Sequence, residues 1–502
     1  MTTRAIILTL LLLPLSSLWI IQQETVRYTF PTWFAPISNV VFIVMLLMLL
    51  DKILAKLFRR NLLSQSEFLM VYFLLSIGAC ICSDKIGHHL VEFMVHAQWF
   101  ATQENEWMEL FGNHLPKWVL VNNQKAIRLY YEGGTTVYQW NIIRPWLAPA
   151  LLWSGFLVVL MFVLLCLNTF LRRQWTEEEK LAYPAIQLPL QMTEPKSTFF
   201  RNNFMWLGFS LATFISLVNG LHFLIPQVPY IPVKRRSFGY LFTTRPWNAM
   251  GDVRLSFYPF MIGLTFLMPL DILLSAWVFY LGYKAQLITK AIAGWHKFPH
   301  YTEQSFGAYF AIAFFTLWLG RYHFNAMLRH GLGLRIDKRY LDEESEMMRY
   351  RTAFWLMMSQ YYSIGAISGR FGPWPRNMVD YLYRRLQNWL NYPTPPDYVG
   401  MWYMAGGFLL GALMYWLRMR FFWWQLHPLG YAMANSWAMH NFWSCLFVAF
   451  LIKWILLRFA GLGAYRKAVP FFLGLAFGDF MLGSLWSAAG ITLDMPMYEF
   501  WP

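Results

Sequence analysis

The sequence predicts an all-α fold, a polytopic helical membrane protein of about 11 transmembrane helices. Three observations carry that prediction. Apolar stretches close to the roughly 20 residues needed to cross a bilayer recur along all 502 residues. Hydrophobic residues reach 57% and charged residues only 13%, about half the charge of a soluble chain. Aromatics make up 19%, with 26 Trp and 27 Tyr, rings whose apolar body and polar edge suit the headgroup layer.

The clearest stretches are 5–21, 33–50, 147–171, 204–225, 255–283, 436–457 and 468–490, while 68–82, 306–320, 353–369 and 401–417 are shorter or more polar. Arg4 precedes the first stretch, as in a signal peptide. That stretch ends in Leu18-Trp19-Ile20-Ile21 with no small-x-small cleavage site, so it reads as a retained helix. Trp33, Trp146, Trp206, Trp247 and the Trp423-Trp424 pair are the expected interface anchors. The four cysteines, Cys80, Cys82, Cys166 and Cys445, lie in or beside apolar segments without a CxxC pair, which fits small buried hydrophobes.

The net charge of +15 does not indicate a nucleic-acid partner, because the basic residues lie in short loops beside apolar stretches, where they set topology. Lys52, Lys56, Arg59 and Arg60 mark one cytoplasmic loop. Arg172, Arg173, Lys180, Lys196 and Arg201 mark the next, Lys284, Lys290 and Lys297 a third, and Arg458, Arg466 and Lys467 a fourth. They place the N-terminus in the cytoplasm and the C-terminus outside, in the cell (inner) membrane. Residues 1–502 then form one membrane domain, with 84–146 a small extracytoplasmic cap broken by Gly112, Pro116, Gly133-Gly134 and Pro145. Two loops break the rule: 321–352 and 226–254 fall outside by simple alternation, yet both are basic. One repair makes 304–322 a re-entrant hairpin and lets 421–436 cross. Such irregular backbone persists only where protein or a watery cavity surrounds it.

An internal duplication is visible. Residues 259–266 (Pro-Phe-Met-Ile-Gly-Leu-Thr-Phe) and 470–477 (Pro-Phe-Phe-Leu-Gly-Leu-Ala-Phe) agree at five of eight positions, each followed by an aspartate (Asp271, Asp479) and a tryptophan (Trp277, Trp486). Upstream, Arg172-Arg173-Gln174-Trp175, Pro184 and Met192 match Arg420, Trp423-Trp424, Pro428 and Met433 in order. The charge assignment starts one motif outside and the other inside, the pattern of an inverted repeat of 147–283 and 401–490, unless a Phe-, Gly- and Leu-rich chain produces the match by chance.

Ionisable groups at membrane depth are costly and face a cavity or a partner. Asp271, behind the kink expected at Pro269, and Asp479, behind Gly474 and Gly478, are candidate carboxylates for substrate or proton coupling, or else structural ion pairs. Lys453 either snorkels to the interface or pairs with one of them. His222 and Asn219 close the stretch 204–225 before Pro226, where a histidine could shuttle protons or sit at the interface. His427-Pro428-Leu429-Gly430 interrupts an apolar stretch, either as an unwound ligand-holding break or as a surface turn. His88, Glu92 and His96 share a four-residue spacing that fits a divalent metal or one stripe of an amphipathic helix. No Walker A loop, GxSxG elbow, kinase set or GxGxxG fingerprint occurs, so neither an ATP-driven motor nor a familiar enzyme is expected, and no cofactor. The acidic run Asp342-Glu343-Glu344-Ser345-Glu346 reads as a solvated loop.

Several phrases carry a family resemblance. They are Arg173-Gln174-Trp175-Thr176-Glu177-Glu178-Glu179-Lys180-Leu181-Ala182-Tyr183-Pro184, Ile262-Gly263 with Pro269 and Ser275-Ala276-Trp277, Gln304-Ser305-Phe306-Gly307-Ala308-Tyr309, Trp423-Trp424-Gln425-Leu426-His427-Pro428-Leu429-Gly430-Tyr431, and Pro470-Phe471-Phe472-Leu473-Gly474. With these the chain resembles an uncharacterised prokaryotic family of multi-pass membrane proteins, distantly similar to the oligopeptide transporter superfamily. The distant similarity rests on Lys180-Leu181-Ala182-Tyr183-Pro184 after a basic loop. It implies proton-coupled uptake of peptide-like or metal-chelate solutes. This chain has fewer spans than those transporters and lacks their other signatures, so none of their binding residues carries over.

The expected function is therefore secondary active transport, with the lipid bilayer, a small solute and protons as partners and self-association into a homo-oligomer left open. A non-transporting scaffold subunit of an envelope or export complex is the first alternative. A membrane enzyme built on His88, Glu92 and His96 is the second.

Overall fold

The computed structural model describes residues 2–27, 29–59, 62–133, 139–173, 175–176, 183–195, 197–295, 300–331, 376–392 and 396–501. The expected stretch 353–369, the basic residues 335–351, the acidic run 342–346 and Lys180-Leu181-Ala182 lie outside them. The described chain is almost entirely helical, and seven of its helical stretches are long and apolar enough to cross a membrane.

The chain forms two compact units. The first comprises Met1–Cys80, Ala182–Thr316 and Asp397–Pro502; the second comprises Ile81–Leu181 and Leu317–Pro396. In the first unit the helices are α1 (Thr3–Ile21), α2 (Ser38–Phe58) and α3 (Gln65–Cys82), with α4 (Trp140–Arg173) belonging to the second unit. Then come α5 (Pro184–Thr193), α6 (Asn203–Leu224), α7 (Pro259–Thr265), α8 (Leu270–Ala293) and α9 (Tyr301–Leu319). Last are α10 (Tyr398–Arg420), α11 (Pro428–Met433), α12 (Trp437–Ile455) and α13 (Gly461–Leu493). A two-stranded antiparallel ribbon, β1 (Arg236–Ser237) with β2 (Arg254–Leu255), closes the loop between α6 and α7.

Small residues let α6, α7 and α13 meet backbone to backbone. A Cβ on Gly208 would lie 2.0 Å from the Phe471 carbonyl oxygen, one on Gly474 2.2 Å from that of Met205, and one on Gly263 2.2 Å from that of Phe472. Membrane helices gain little from burying apolar side chains against one another, because lipid is equally apolar. Such close contact is what holds them. Gly208 opposes Phe471 and Gly220 opposes Trp486, so α6 and α13 run parallel.

The stretch 255–283 is not one span with a kink. Phe260 lies against Phe442, and Lys453 reaches Phe266 and Met268, so α7 runs parallel to α12. Trp277 meets Phe447, Tyr280 stacks on Trp443, and Tyr283 meets His440, so α8 runs antiparallel to α12. The chain therefore reverses at Phe266–Pro269, and α7–α8 is a helical hairpin. Pro269, with no N–H and with ψ 142°, cannot continue α7 and instead opens α8.

This reversal corrects the expected topology. Lys284, expected on the opposite side from loop 226–254, donates to the Met250 and Asp252 carbonyls of that loop at 2.8 and 2.9 Å. Residues 304–322, for which a re-entrant hairpin was one repair, hold most of the continuous helix α9 up to Leu319. α9 runs parallel to α10: Gly407 packs on Gln304, Gly411 on Ala308, and Tyr415 on Phe315. The chain thus leaves α9 at the end of the unit that holds Arg418. Residues 421–436 climb along α8, from Ser275 beside His427 to Phe279 beside Tyr431, as an unwound strand containing the short α11.

In the second unit the segment 84–132 folds into turns and short helices around aromatic rings, with Trp107, Phe111 and Tyr383 in its core.

The glycine contacts give a direct test. Gly474→Val should lower the thermal midpoint in detergent by the equivalent of about 1–3 kcal/mol or more. Gly155→Val on α4, with nothing within 4 Å of its Cβ, should leave it unchanged. Thermal unfolding monitored by size-exclusion chromatography reads both.

Candidate functional site

The candidate residues fall into two groups at opposite ends of α7. At its start, Asp479 on α13 accepts the Phe260 N–H at 3.2 Å and is only 5% exposed. Beyond its last residue, Lys453 on α12 donates to the Phe266 and Met268 carbonyls at 3.1 and 2.6 Å and to the Tyr465 hydroxyl at 3.4 Å, and is 6% exposed. An anion at a helix N-terminus and a cation at its C-terminus both oppose the helix dipole. They also satisfy amide and carbonyl groups that the chain reversal leaves open. Lys453 therefore does not snorkel. Its ammonium also lies over the Tyr465 ring, 4.7 Å from its centre.

Asp271 stands in the first turn of α8. Its Oδ2 meets Arg418 Nη2 of α10 at 2.5 Å, and its Oδ1 accepts the Ile272 N–H at 2.9 Å. The adjoining Ser275 hydroxyl donates to the Asp271 carbonyl at 2.5 Å and accepts the His427 N–H at 2.6 Å. His427 then caps α11, its Nδ1 accepting the Leu429 N–H at 3.1 Å, so that nitrogen is unprotonated here. Gly430 is needed at this crossing, since a Cβ there would lie 2.5 Å from that of Ser275. Lys453, Asp271 and His427 thus converge on the hairpin tip and the start of α8, where the unwound 421–436 segment packs.

Asn219 and His222 belong to the other group. Asn219 donates to the Ile231 carbonyl at 2.9 Å and accepts the Ile231 N–H at 2.8 Å, and His222 Nδ1 lies 2.6 Å from the Val228 carbonyl. Both pin the loop after α6. On that loop Lys234 is pushed down to about 8 by burial, against the pull of Glu499 and Asp479.

The His88, Glu92 and His96 stripe does not assemble as a metal set. Glu92 accepts the Tyr130 and Tyr131 hydroxyls at 3.1 and 2.8 Å and faces His96 Nδ1 at 3.2 Å, while the His88 ring lies beside that of His89. Among the described residues no three His, Cys, Asp or Glu side chains gather to hold a metal ion. The reason is geometric: steps of four residues drift around a helix, and the helix ends at Phe93 before His96.

The family of unknown function DUF6785 matches the chain over residues 1–359 and 353–502. The chain belongs to that family. No curated protein and no solved structure matches it. The uncharacterised membrane family that the sequence phrases resemble agrees with this assignment.

Two residues of the site escaped sequence reading. Arg418 sits in the last turn of α10, where it passes for a topology marker. Ser275 is one hydroxyl in an apolar helix, and only its place four residues after Asp271 hints at a role.

Asp479→Asn keeps an acceptor for the Phe260 N–H, whereas Asp479→Leu leaves that buried donor unsatisfied, at a cost of about 1–3 kcal/mol. The leucine variant should therefore unfold at a lower temperature than the asparagine variant, and Lys453→Met, which strips two carbonyls of their donor, should behave like it. Thermal unfolding of the purified proteins checks the order.

Proposed function

We propose that this protein is a secondary active transporter that takes up peptide-like or metal-chelate solutes with protons. The observation that carries this reading is the meeting of two interrupted elements, the α7–α8 hairpin and the unwound 421–436 segment, at Ser275 and Gly430. Broken helices packed against each other are the usual framework of a transporter's site, because free backbone groups there can take a ligand. Asp271 is the proposed proton acceptor. A proton on its carboxylate removes the ion pair with Arg418 and loosens α10 from α8.

An inverted duplication supports the same reading. A short Pro-led helix, a span and a Pro-Phe helix recur as α5, α6, α7 and as α11, α12, α13. The span of each copy packs on the Pro-Phe helix of the other, and α7 and α13 run antiparallel. We assign the Arg418 end to the cytoplasm of the inner membrane, which brings Arg418 and Arg420 inside together with Lys52 and Lys56, and we count about 11 crossings. The distant likeness to oligopeptide transporters supports the substrate class.

The scaffold reading is favoured by one specific observation: Asp271, Asp479 and Lys453 each already hold a partner within the chain. Proteoliposomes loaded with a pH-sensitive dye and offered dialanine or ferric citrate separate the two. Solute-dependent acidification of the lumen should fall at least tenfold in Asp271→Asn, with an unchanged chromatographic profile. Parental rates in that variant overturn the role of Asp271; no acidification by the parental protein with either probe overturns transport, and a stoichiometric partner co-purifying from membranes would then establish the scaffold.

A further inference from the structure

The segment Asp494–Trp501 follows α13, has no regular secondary structure, and is nevertheless built into the first unit. Tyr498, Phe500 and Trp501 are 6%, 8% and 2% exposed. Trp501 packs on Tyr258, Phe34 and Phe442, with ring centres 5.0–5.1 Å apart, and Phe500 on Phe260 at 5.6 Å. Phe500 fills a socket that only glycine leaves open, since a Cβ on Gly483 would lie 2.4 Å from its ring. These contacts cover the start of α7, where Asp479 holds the Phe260 amide. Beneath the segment lies a cavity of about 20 Å³, lined by Gln23, Arg27, Trp486 and Glu499 among others, with room for a water molecule.

The way the segment is held separates it from the helices around it. Among the described residues, no backbone–backbone hydrogen bond involves residues 496–501. Arg27 anchors the base, donating to the Gly490 and Met495 carbonyls at 2.5 and 2.6 Å. Asp494, at φ 49°, forms the sharp bend that turns the chain back. Beyond that bend, inserted rings hold the segment, with one hydrogen bond from Asn219 to the Tyr498 hydroxyl at 3.4 Å. A piece fixed by side chains and not by a backbone ladder can leave as a unit without unfolding its neighbours.

We propose that Asp494–Trp501 is a removable plug that closes the Asp479 end of the hairpin. Its closure stands on geometry alone; its role as a gate rests on the transport reading. The charged groups facing Glu499 in the plug are Lys234 from the α6–α7 loop and Arg27 from the turn after α1; Asp479 acts on Lys234 from the other side, and Arg235 lies over the Trp501 ring. Burial raises Glu499 to about 7. The closed state therefore binds this proton more tightly than the open state, and closure weakens as the pH rises from about 5 to 7. Lys234, lowered to about 8, stays protonated across that window.

The test uses full-length protein in which the four native cysteines are replaced and Ser487→Cys, which lines the cavity under the segment, reports access. An impermeant maleimide should label it slowly, at least tenfold faster after Phe500→Ala with Trp501→Ala, and faster at pH 7 than at pH 5 when corrected for thiolate. Equal rates with and without the plug rings overturn the proposal. Should the double variant fail to fold, hydrogen exchange on the parent decides: the amides of 497–501 should exchange at least a hundredfold faster than those of 474–484, and equal protection overturns it. Neither readout depends on transport, so its failure is distinguishable from failure of the transport reading.

Discussion

A backbone that doubles back inside a bilayer exposes amides and carbonyls with no water to take them. Here one aspartate and one lysine take them. Asp479 holds the first free amide of α7, and Lys453 gathers two carbonyls where the chain turns. Everything else at the site is referred to this turn. α8 can start where it does only because the tip is fixed, and only then does Asp271 fall opposite Arg418 and Ser275 opposite His427. The usual view of a charge in a membrane as a functional group needs widening: the same charge can first be what makes an irregular backbone affordable.

Around that turn the protein combines two kinds of packing. Glycines on α6, α7 and α13 bring backbones together, and large rings fill the space the hairpin leaves at its open end. Phe266 stacks on Phe472 with ring centres 3.7 Å apart, so the two Pro-Phe motifs touch each other directly. The likeness between the motifs thus has a local physical meaning whatever its origin: each supplies a small residue for a close crossing and a ring to seal it.

The membrane class and most helices were legible because apolar length and the scarcity of charge are local properties. Asp271, Asp479, Lys453 and His427 were legible for the same reason, as polar residues in apolar surroundings. The reversal at Phe266–Pro269 was not. A proline in an apolar stretch announces an interruption, but whether the chain then continues or turns back depends on distant groups, chiefly Lys453, that no local pattern contains. The error propagated: counting the hairpin as one crossing put Lys284 on the opposite side from loop 226–254, whose carbonyls it reaches. The metal reading of His88, Glu92 and His96 failed for a related reason, since equal spacing along the chain does not survive the end of a helix at Phe93. The partners of Glu92, Tyr130 and Tyr131, come from a separate segment and could not be read from its neighbourhood.

The length of α13 has a mechanical consequence. Its 33 residues span about 50 Å, well beyond a hydrocarbon layer of about 30 Å. Its first turns, with Arg466 and Lys467, therefore extend past the bilayer or force a steep tilt. Tyr465 belongs to those first turns and touches both Lys453 and the Phe266 ring. The base of α13 and the tip of the hairpin are therefore in direct contact, and a shift of one bears on the other.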